Sequence, residues 1–445
     1  LCNRYKGAQF NGLDPHSGQI VDLFNPRLHI WYDQIRKVGH NLKYDLEVLR
    51  RHGIELKGIY FDTMVASYLL NPSSRQHGLD NLALEHLDHR MVPITDLIGN
   101  GKKQKSFAEV PVKDACNYSC EDVDYTLRLK EIFSPKMSQL ALERLFYDVE
   151  LPLIQVLAAM EMVGVSVDTA YLGKLSKQME KQLDDLSSQI YDLAGKRFNI
   201  NSPQQLSQVL FEDLKLPSVR KTAKRTGYST DIGVLETLAK EHPLPAVLLQ
   251  YRQLAKLKST YIDALPRLVN QRTKRIHTSF NQTVTATGRL SSSEPNLQNI
   301  PIRTDVGRQI RGAFVPKSKN FLILSADYSQ VELRILAHFS QDQTLMTSFK
   351  KGEDIHNRTA SEVFGVRMDR VTSEERAVAK ITNFAIIYGV SAFGLSRQTN
   401  MTPQEAGMFI DVYFKRYPRV TEYIDPTVEL ARRQGFVTTL LGRRR

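Results

Sequence analysis

The sequence predicts an α/β protein of several domains, and three observations carry that expectation. Its 445 residues exceed what one ordinary core organises, so two or three domains are expected. Residues 1 to about 140 interleave short strand-like runs with helical ones, the pattern of an α/β domain. From Tyr147 long helical periodicities take over, and a strand-like run returns at Phe321-Leu322-Ile323-Leu324.

Composition narrows the function classes. A hydrophobic fraction of 42% is ample for sizeable cores, yet no run of eighteen apolar residues exists, so no membrane span is expected. Leu1-Cys2-Asn3-Arg4-Tyr5-Lys6 has no apolar core behind it, unlike a signal peptide, and the absence of an initial Met leaves a preceding segment open. Cys2, Cys116 and Cys120 fit a reducing compartment and no disulfide framework. Cys116 and Cys120 lack a second Cys/His pair nearby, which argues against zinc. The net charge of +12 favours a polyanionic partner, nucleic acid or a phospholipid surface.

Taken in order, Gly39-His40-Asn41-Leu42-Lys43-Tyr44-Asp45 opens with turn formers and becomes a helix through Leu49. Asn117 to Thr126 is polar and acid-rich and runs into helical Leu127-Arg128-Leu129-Lys130; Tyr118 and Asp122, four apart, can share one helix face. Leu172, Leu175, Met179, Leu183, Leu186, Ile190 and Leu193 follow three/four spacing and predict a long amphipathic helix whose stripe is packing. Between Lys215 and Arg275, thirteen Lys/Arg stand against four Asp/Glu. The loop Arg220 to Thr230 there is dense in cations and hydroxyls, which suits phosphate contacts or, equally, a solvated basic loop. Thr285-Ala286-Thr287-Gly288-Arg289 is followed by Asn296-Leu297-Gln298-Asn299. Arg, Asn and Gln can donate to minor-groove acceptors, and a glycine at 288 lets backbone approach a ligand closely.

Phe321 to Leu324 reads as a strand buried on both faces, and Gln330 to Phe339 as the helix after it. Asp327 lies between them, where a carboxylate can hold a divalent cation over phosphates or simply cap the helix; from this stretch alone the cap is favoured. Thr372-Ser373-Glu374-Glu375 is a capping-box sequence. The helix it starts carries Arg376, Lys380, Phe384 and Tyr388 at four-residue steps on one broad face, and Gly389 then closes it or admits a ligand. Cations in the first half neutralise phosphates and rings in the second stack on a base, so the face suits a nucleotide. The plain alternative is a helix with exposed charges and a buried aromatic seam.

These stretches together resemble family A DNA polymerases. Asp327 to His338, DYSQVELRILAH, is similar to that family's first palm motif, and Arg376-x3-Lys380-x3-Phe384-x3-Tyr388-Gly389 to its fingers motif. TATGRLSS, PNLQNIP and DIHNRTASEVFG resemble further blocks, while HNLKYD and YSCED are similar to motifs of its 3′–5′ proofreading exonuclease. The resemblance implies a ribonuclease H-like exonuclease domain over residues 1–140 and a right-hand polymerase over 141–445. Within the latter it implies a thumb at about 165–275, a palm at 276–345 and fingers at 346–445. Its implied activity is template-directed addition of deoxynucleotides to a primer 3′ end, with proofreading, in replication and repair. The implied partners are primer–template DNA and deoxynucleoside triphosphates, for a monomer in the cytoplasm near the nucleoid.

Roles follow position by position from the same resemblance. Asp327, helped by the Tyr328 carbonyl, is expected to bind two magnesium ions, with manganese as the alternative. Arg376, Lys380 and His356 are expected on the triphosphate, Phe384 and Tyr388 around the nucleotide and template base. Glu332 matches the gate against a ribose 2′-hydroxyl, with Gln330 supporting the pocket. Arg289, Asn296 and Gln298 are expected near the primer terminus, and Lys221, Lys224, Arg252 and Lys256 on duplex. In the exonuclease, Asp45 and Asp122 are expected as metal carboxylates, Tyr118 orients the attacking water, and Asn41 belongs to the same motif.

Three features depart from the family pattern. No His-Asp-Glu-type turn with a second polymerase carboxylate occurs before Arg445, and no Asp-x-Glu exonuclease motif precedes Asn41, since Asp14 and Asp22 have the wrong neighbours. Both metal sites are therefore expected to be incomplete, the palm unfinished and both activities of this chain impaired. Pro426 falls where a helix should run. A non-catalytic DNA-binding relative remains the main alternative, and a single-subunit RNA polymerase is disfavoured by Glu332 and the proofreading-like region.

Overall fold

Helices dominate the architecture, and among the described residues every strand ladder is two strands wide. The computed structural model describes residues 33–217, 228–302, 304–399 and 401–445, together with the backbone of strands β1 (Asn11–Leu13) and β2 (Ile20–Asp22). The basic-loop residues Lys221 and Lys224 lie outside the described residues. The chain forms two compact units, Leu1–Ile323 and Leu324–Arg445.

In the first unit, β3 (Lys37–Gly39) and β4 (Ile59–Asp62) pair in parallel, joined by helix α1 (Leu42–Arg51). A parallel pair needs such a crossover, and the turn formers before Leu42 supply its entry, with Asn41 at φ 59°. Asp62, 1% exposed, ends β4 and caps α2 (Thr63–Leu70), accepting from Met64 N at 2.9 Å and Val65 N at 3.1 Å. The same carboxylate accepts from Leu42 N at 2.7 Å, so one buried acid serves the first turns of two helices. Around this lies a core of Leu46, Phe61, Tyr68, Leu129, Phe133 and Phe146. Asn117 to Thr126 does not run into a helix; it is the interior of one continuous helix, α3 (Val112–Gln139). Most of its polar residues lie on the solvated faces, while Thr126, Leu129, Phe133 and Met137 are buried on the other.

After α4 (Leu151–Val163), the two-residue strand β5 (Ser166–Val167) leads into the expected long helix α5 (Thr169–Ala194), which buries Leu172, Leu175, Met179 and Ile190 against α6 (Pro243–Leu257) and neighbouring segments. Strands β6 (Ser279–Asn281) and β7 (Ser291–Ser293) form a hairpin whose tip carries Thr285 to Arg289, with Gly288 at φ 84°. Strand β8 (Phe314–Val315) pairs antiparallel with β5.

The run Phe321–Leu324 corrects the sequence expectation. It is not a strand, and Leu322 and Leu324 are 93% and 91% exposed. A strand exists only with a neighbour to complete its backbone hydrogen bonds, and no described strand pairs with this run.

The second unit is helical among the described residues. Helices α7 (Val331–Ser340), α8 (Ile355–Phe364), α9 (Ser373–Ile387), α10 (Pro403–Arg416) and α11 (Pro418–Gln434) are named in order. Leu333, Leu345, Ile355, Ile386, Tyr413 and Val420 form its main core. Asp327 does not cap α7; that position belongs to Gln330, at φ 54° and with no side-chain cap bond. Pro426 sits in the interior of α11, so the carbonyl of Glu422 loses its helical N–H partner.

Candidate functional site

Two groups of side chains match the sequence reading, one in each unit. In the first, α1 and α3 bring Asp45, Tyr118 and Asp122 to one cavity of about 640 Å³, which opens at the end of β3. Tyr118 and Asp122 share one face of α3, and a hydrogen bond joins their side chains. Asp45 is exposed as a residue, but crowding around its carboxyl raises its pKa through burial. Burial also raises that of Asp122, with the Glu121 charge adding and the Tyr118 hydrogen bond opposing. The Tyr118 phenol is pushed upward by burial and by the Asp122 charge, so it stays protonated at neutral pH.

His40 lines the same cavity and was not singled out by the sequence, although it opens the HNLKYD stretch. Its Nδ1 is 2.9 Å from Thr63 Oγ1, and burial lowers its pKa to about 4. Asn41 departs from expectation. It lines a second cavity, of about 260 Å³, with Lys43, Glu47, Asp62 and Glu161, because the left-handed turn at 41 sends it away from Asp45. In that cavity Lys43 Nζ pairs with Glu161 Oε1 at 2.6 Å. Burial, then the hydrogen bond and charge of Glu161, raise Glu47 to about 7.

The residues expected on DNA are largely engaged within the protein. Arg252 donates to the Thr230 carbonyl and, at 3.3 Å, to Thr230 Oγ1, so it anchors the end of the basic loop, while Lys256 is exposed. Asn296 Oδ1 accepts from Gln298 N at 3.1 Å and Asn299 N at 3.2 Å, forming a turn, and Gln298 Nε2 donates to Leu290 O at 3.2 Å. Arg289 stands exposed at the hairpin tip.

In the second unit the capping box forms as read. Thr372 Oγ1 accepts from Glu375 N at 3.2 Å, and Glu375 Oε2 accepts from Thr372 N at 2.8 Å. Helix α9 then presents Arg376, exposed Lys380, half-buried Phe384 and, at its C-cap, exposed Tyr388; Gly389 at φ 66° closes it. Tyr388 Oη donates to Glu332 Oε1 at 2.8 Å, joining the expected base pocket to the expected sugar gate. Arg376, expected on the triphosphate, also has a partner within the protein. It pairs with Asp354, Nη2 to Oδ2 at 2.7 Å, and Asp354 also caps α8 through His356 N at 2.8 Å and Asn357 N at 3.1 Å. Asp354 was missed because an acid ahead of a helix reads as a cap, which it also is. His356 is 3% exposed, with its ring 5.8 Å from that of Phe384.

A divalent cation fits these sites through the chemistry of their donors. Asp45 and Asp122 are hard oxygen donors on one cavity, and the burial that raises both pKa values leaves them short of positive charge. Asp327 and Tyr328 are exposed oxygen donors, of the hard kind that would suit magnesium alongside water ligands. No group of three or more His, Cys, Asp or Glu is close enough to hold a metal among the described residues.

One unit is helical with a cation-and-ring face, and the other, of α/β character, holds two acids on one cavity. The family model for DNA polymerase family A matches residues 169–445, and that for the 3′–5′ exonuclease matches residues 13–138. The chain belongs to DNA polymerase family A. It is 46% identical over 411 residues to DNA polymerase I of Pseudomonas aeruginosa, which covers 92% of this chain and 45% of that one. To DNA polymerase I of Chloroflexus aurantiacus it is 49% identical over 434 residues, 96% of this chain and 45% of that one. The chain thus spans about half the length of the curated relatives it matches. Among solved structures, the POL domain of Pol1 from M. smegmatis, in complex with DNA primer-template and dNTP, aligns at TM-score 0.80 and 36% identity, covering 96% of this chain and 73% of that one. No helix among the described residues is long and apolar enough to cross a membrane.

Proposed function

We propose that the protein is a template-directed DNA polymerase with a 3′–5′ proofreading region, acting as a monomer on primer–template in the cytoplasm, close to the nucleoid. The observation that carries this is the α9 face, with cations toward the N-terminus, rings toward the C-terminus, and Tyr388 bonded to Glu332. Arg376 and Lys380 bind the triphosphate electrostatically while Phe384 and Tyr388 support the base. Tyr388 holds the Glu332 carboxylate where a ribose 2′-hydroxyl would meet it, which selects deoxynucleotides. Asp327 and the Tyr328 carbonyl would hold the magnesium ions, which when bound would supply activation of the primer hydroxyl and stabilisation of the leaving pyrophosphate.

In the proofreading region, Asp45 and Asp122 hold the cation and protonated Tyr118 orients a water as a hydrogen-bond donor, not as a base. The two domains divide as 1–140 and 141–445, with Arg289 at the primer and Lys221, Lys224 and Lys256 on duplex.

Titration of the chain with a deoxynucleoside triphosphate and, separately, with a fluorescent primer–template tests the reading. Lys380→Ala should weaken nucleotide binding about tenfold, the worth of a charge-assisted hydrogen bond, and leave primer–template binding within about twofold. Equal loss of both would instead make Lys380 a folding residue.

A further inference from the structure

The histidine beside the two α9 cations is held by a polar network that decides which ring nitrogen carries the proton. His356 lies in the first turn of α8, and its Nδ1 is 3.1 Å from Asn383 Nδ2. Asn383 is 0% exposed and sits on α9, next to Phe384. Its Nδ2 also donates to Thr359 Oγ1 at 3.1 Å, and Thr359 Oγ1 donates to the Ile355 carbonyl at 2.9 Å.

The direction of the bond to the ring follows from chemistry. The one proton of Thr359 Oγ1 has two acceptors, the Ile355 carbonyl and Asn383 Oδ1 at 3.2 Å, while its oxygen accepts from Asn383 Nδ2. The Asn383 NH₂, which only donates, faces both Thr359 and His356. The second N–H of Asn383 then requires a bare lone pair on His356 Nδ1. A neutral ring satisfying this carries its proton on Nε2, which has no hydrogen-bond partner among the described residues.

The charges around the ring act in the same direction. Burial lowers the pKa of His356 to about 4; Arg376 and Lys380 oppose its protonation, and Asp354 alone favours it. A third cation between two others would be costly, whereas a neutral N–H adds a directed donor without that repulsion.

We propose that Asn383 is a positioning residue that fixes His356 as the neutral Nε2–H tautomer, so that the ring meets a polyphosphate as a hydrogen-bond donor and not as a cation. This rests on the reading of the α9 face as the triphosphate site. Thr359 is the second member of the device, since its hydroxyl bonds the amide at both Oδ1 and Nδ2.

The ring nitrogens can be read directly by NMR of the chain labelled with ¹⁵N-histidine, the His356 signals being assigned by their loss in His356→Gln. In the wild type, Nε2 should be protonated and Nδ1 bare from about pH 5.5 to 8. Asn383→Asp replaces the donor with an acceptor and should put a proton on Nδ1. Thr359→Val, which adds no charge and keeps the shape, should give a mixture of tautomers and bind sodium tripolyphosphate about threefold to tenfold more weakly than wild type. His356→Gln, which retains an N–H donor, should bind it within about threefold, and His356→Phe about tenfold more weakly.

A wild-type ring protonated on Nδ1, or an unchanged ring in both Asn383→Asp and Thr359→Val, overturns the positioning role. So does tripolyphosphate binding by Thr359→Val and His356→Phe equal to wild type. A wild type that fails to bind tripolyphosphate overturns the phosphate reading of α9, and with it the proposal, while the spectra still report the tautomer separately.

Discussion

Helix α9 carries one of the two strongest polymerase motifs and the run Phe321–Leu324 leads into the other, and of these two stretches only α9 forms as the sequence describes. Its capping box closes, its cations and rings share a face, and its apolar side buries Ala379, Ala385 and Ile386. Phe321–Leu324 is more apolar, yet it forms no strand and stays exposed. A helix satisfies its backbone within itself, so local residues suffice to specify it. A strand borrows its hydrogen bonds from a neighbour, so apolar sequence alone cannot complete it.

Four measurements would break or sharpen this contrast. The largest effect is expected at Leu333, 0% exposed and only nine residues after Leu324. Leu333→Ala should cost about 2–5 kcal/mol in urea unfolding, the usual loss for truncating a packed core leucine. Next comes the cap: Thr372→Ala removes the Oγ1 that accepts from Glu375 N and should cost about 1 kcal/mol. A cost near zero there would mean that α9 is set by packing alone, and the contrast with the strand would weaken.

The third measurement sets the two units against each other through pH. His356 falls from 6.5 to about 4 on folding, so the folded state binds fewer protons than the unfolded one in that window. Its contribution is present above pH 6.5 and is lost as pH falls toward 4. Glu47 rises from 4.5 to about 7, so its contribution is present below 4.5 and is lost as pH rises through 7. His356→Gln should therefore flatten the acid limb of Tm against pH, and Glu47→Gln the limb between 4.5 and 7. Identical profiles for each variant and the wild type would remove both groups from the account.

The smallest effect is expected at the exposed run itself. Leu322→Ala and Leu324→Ala should each change stability by no more than about 0.5 kcal/mol, as surface substitutions do. A loss of several kcal/mol at either would show that the run is buried as a strand after all.

The candidate sites were legible to different depths. Tyr118 and Asp122 were placed together from spacing alone, because four residues is one helical turn. Asp45 joined them only through the packing of α1 against the rest of its domain, which no local pattern states. Asn41, two turns of logic away in sequence terms, went to another cavity because a single left-handed residue reversed its direction. Asn296 and Gln298 read as ligands for DNA by residue type and Arg252 through the family resemblance, and each also bonds a carbonyl or amide of the protein.

By itself the sequence determined helices such as α5 and α9, the capping box of α9 and the residues each face could offer, since those depend on neighbours one turn away. It also determined the family, through motifs whose order along the chain is unaffected by folding. Only the tertiary structure decided which offered groups were already taken: Arg376 by Asp354, His356 by Asn383, Tyr388 by Glu332. Those pairs join residues 22, 27 and 56 positions apart, and a hydrogen bond between distant residues exists only once packing has brought them within reach.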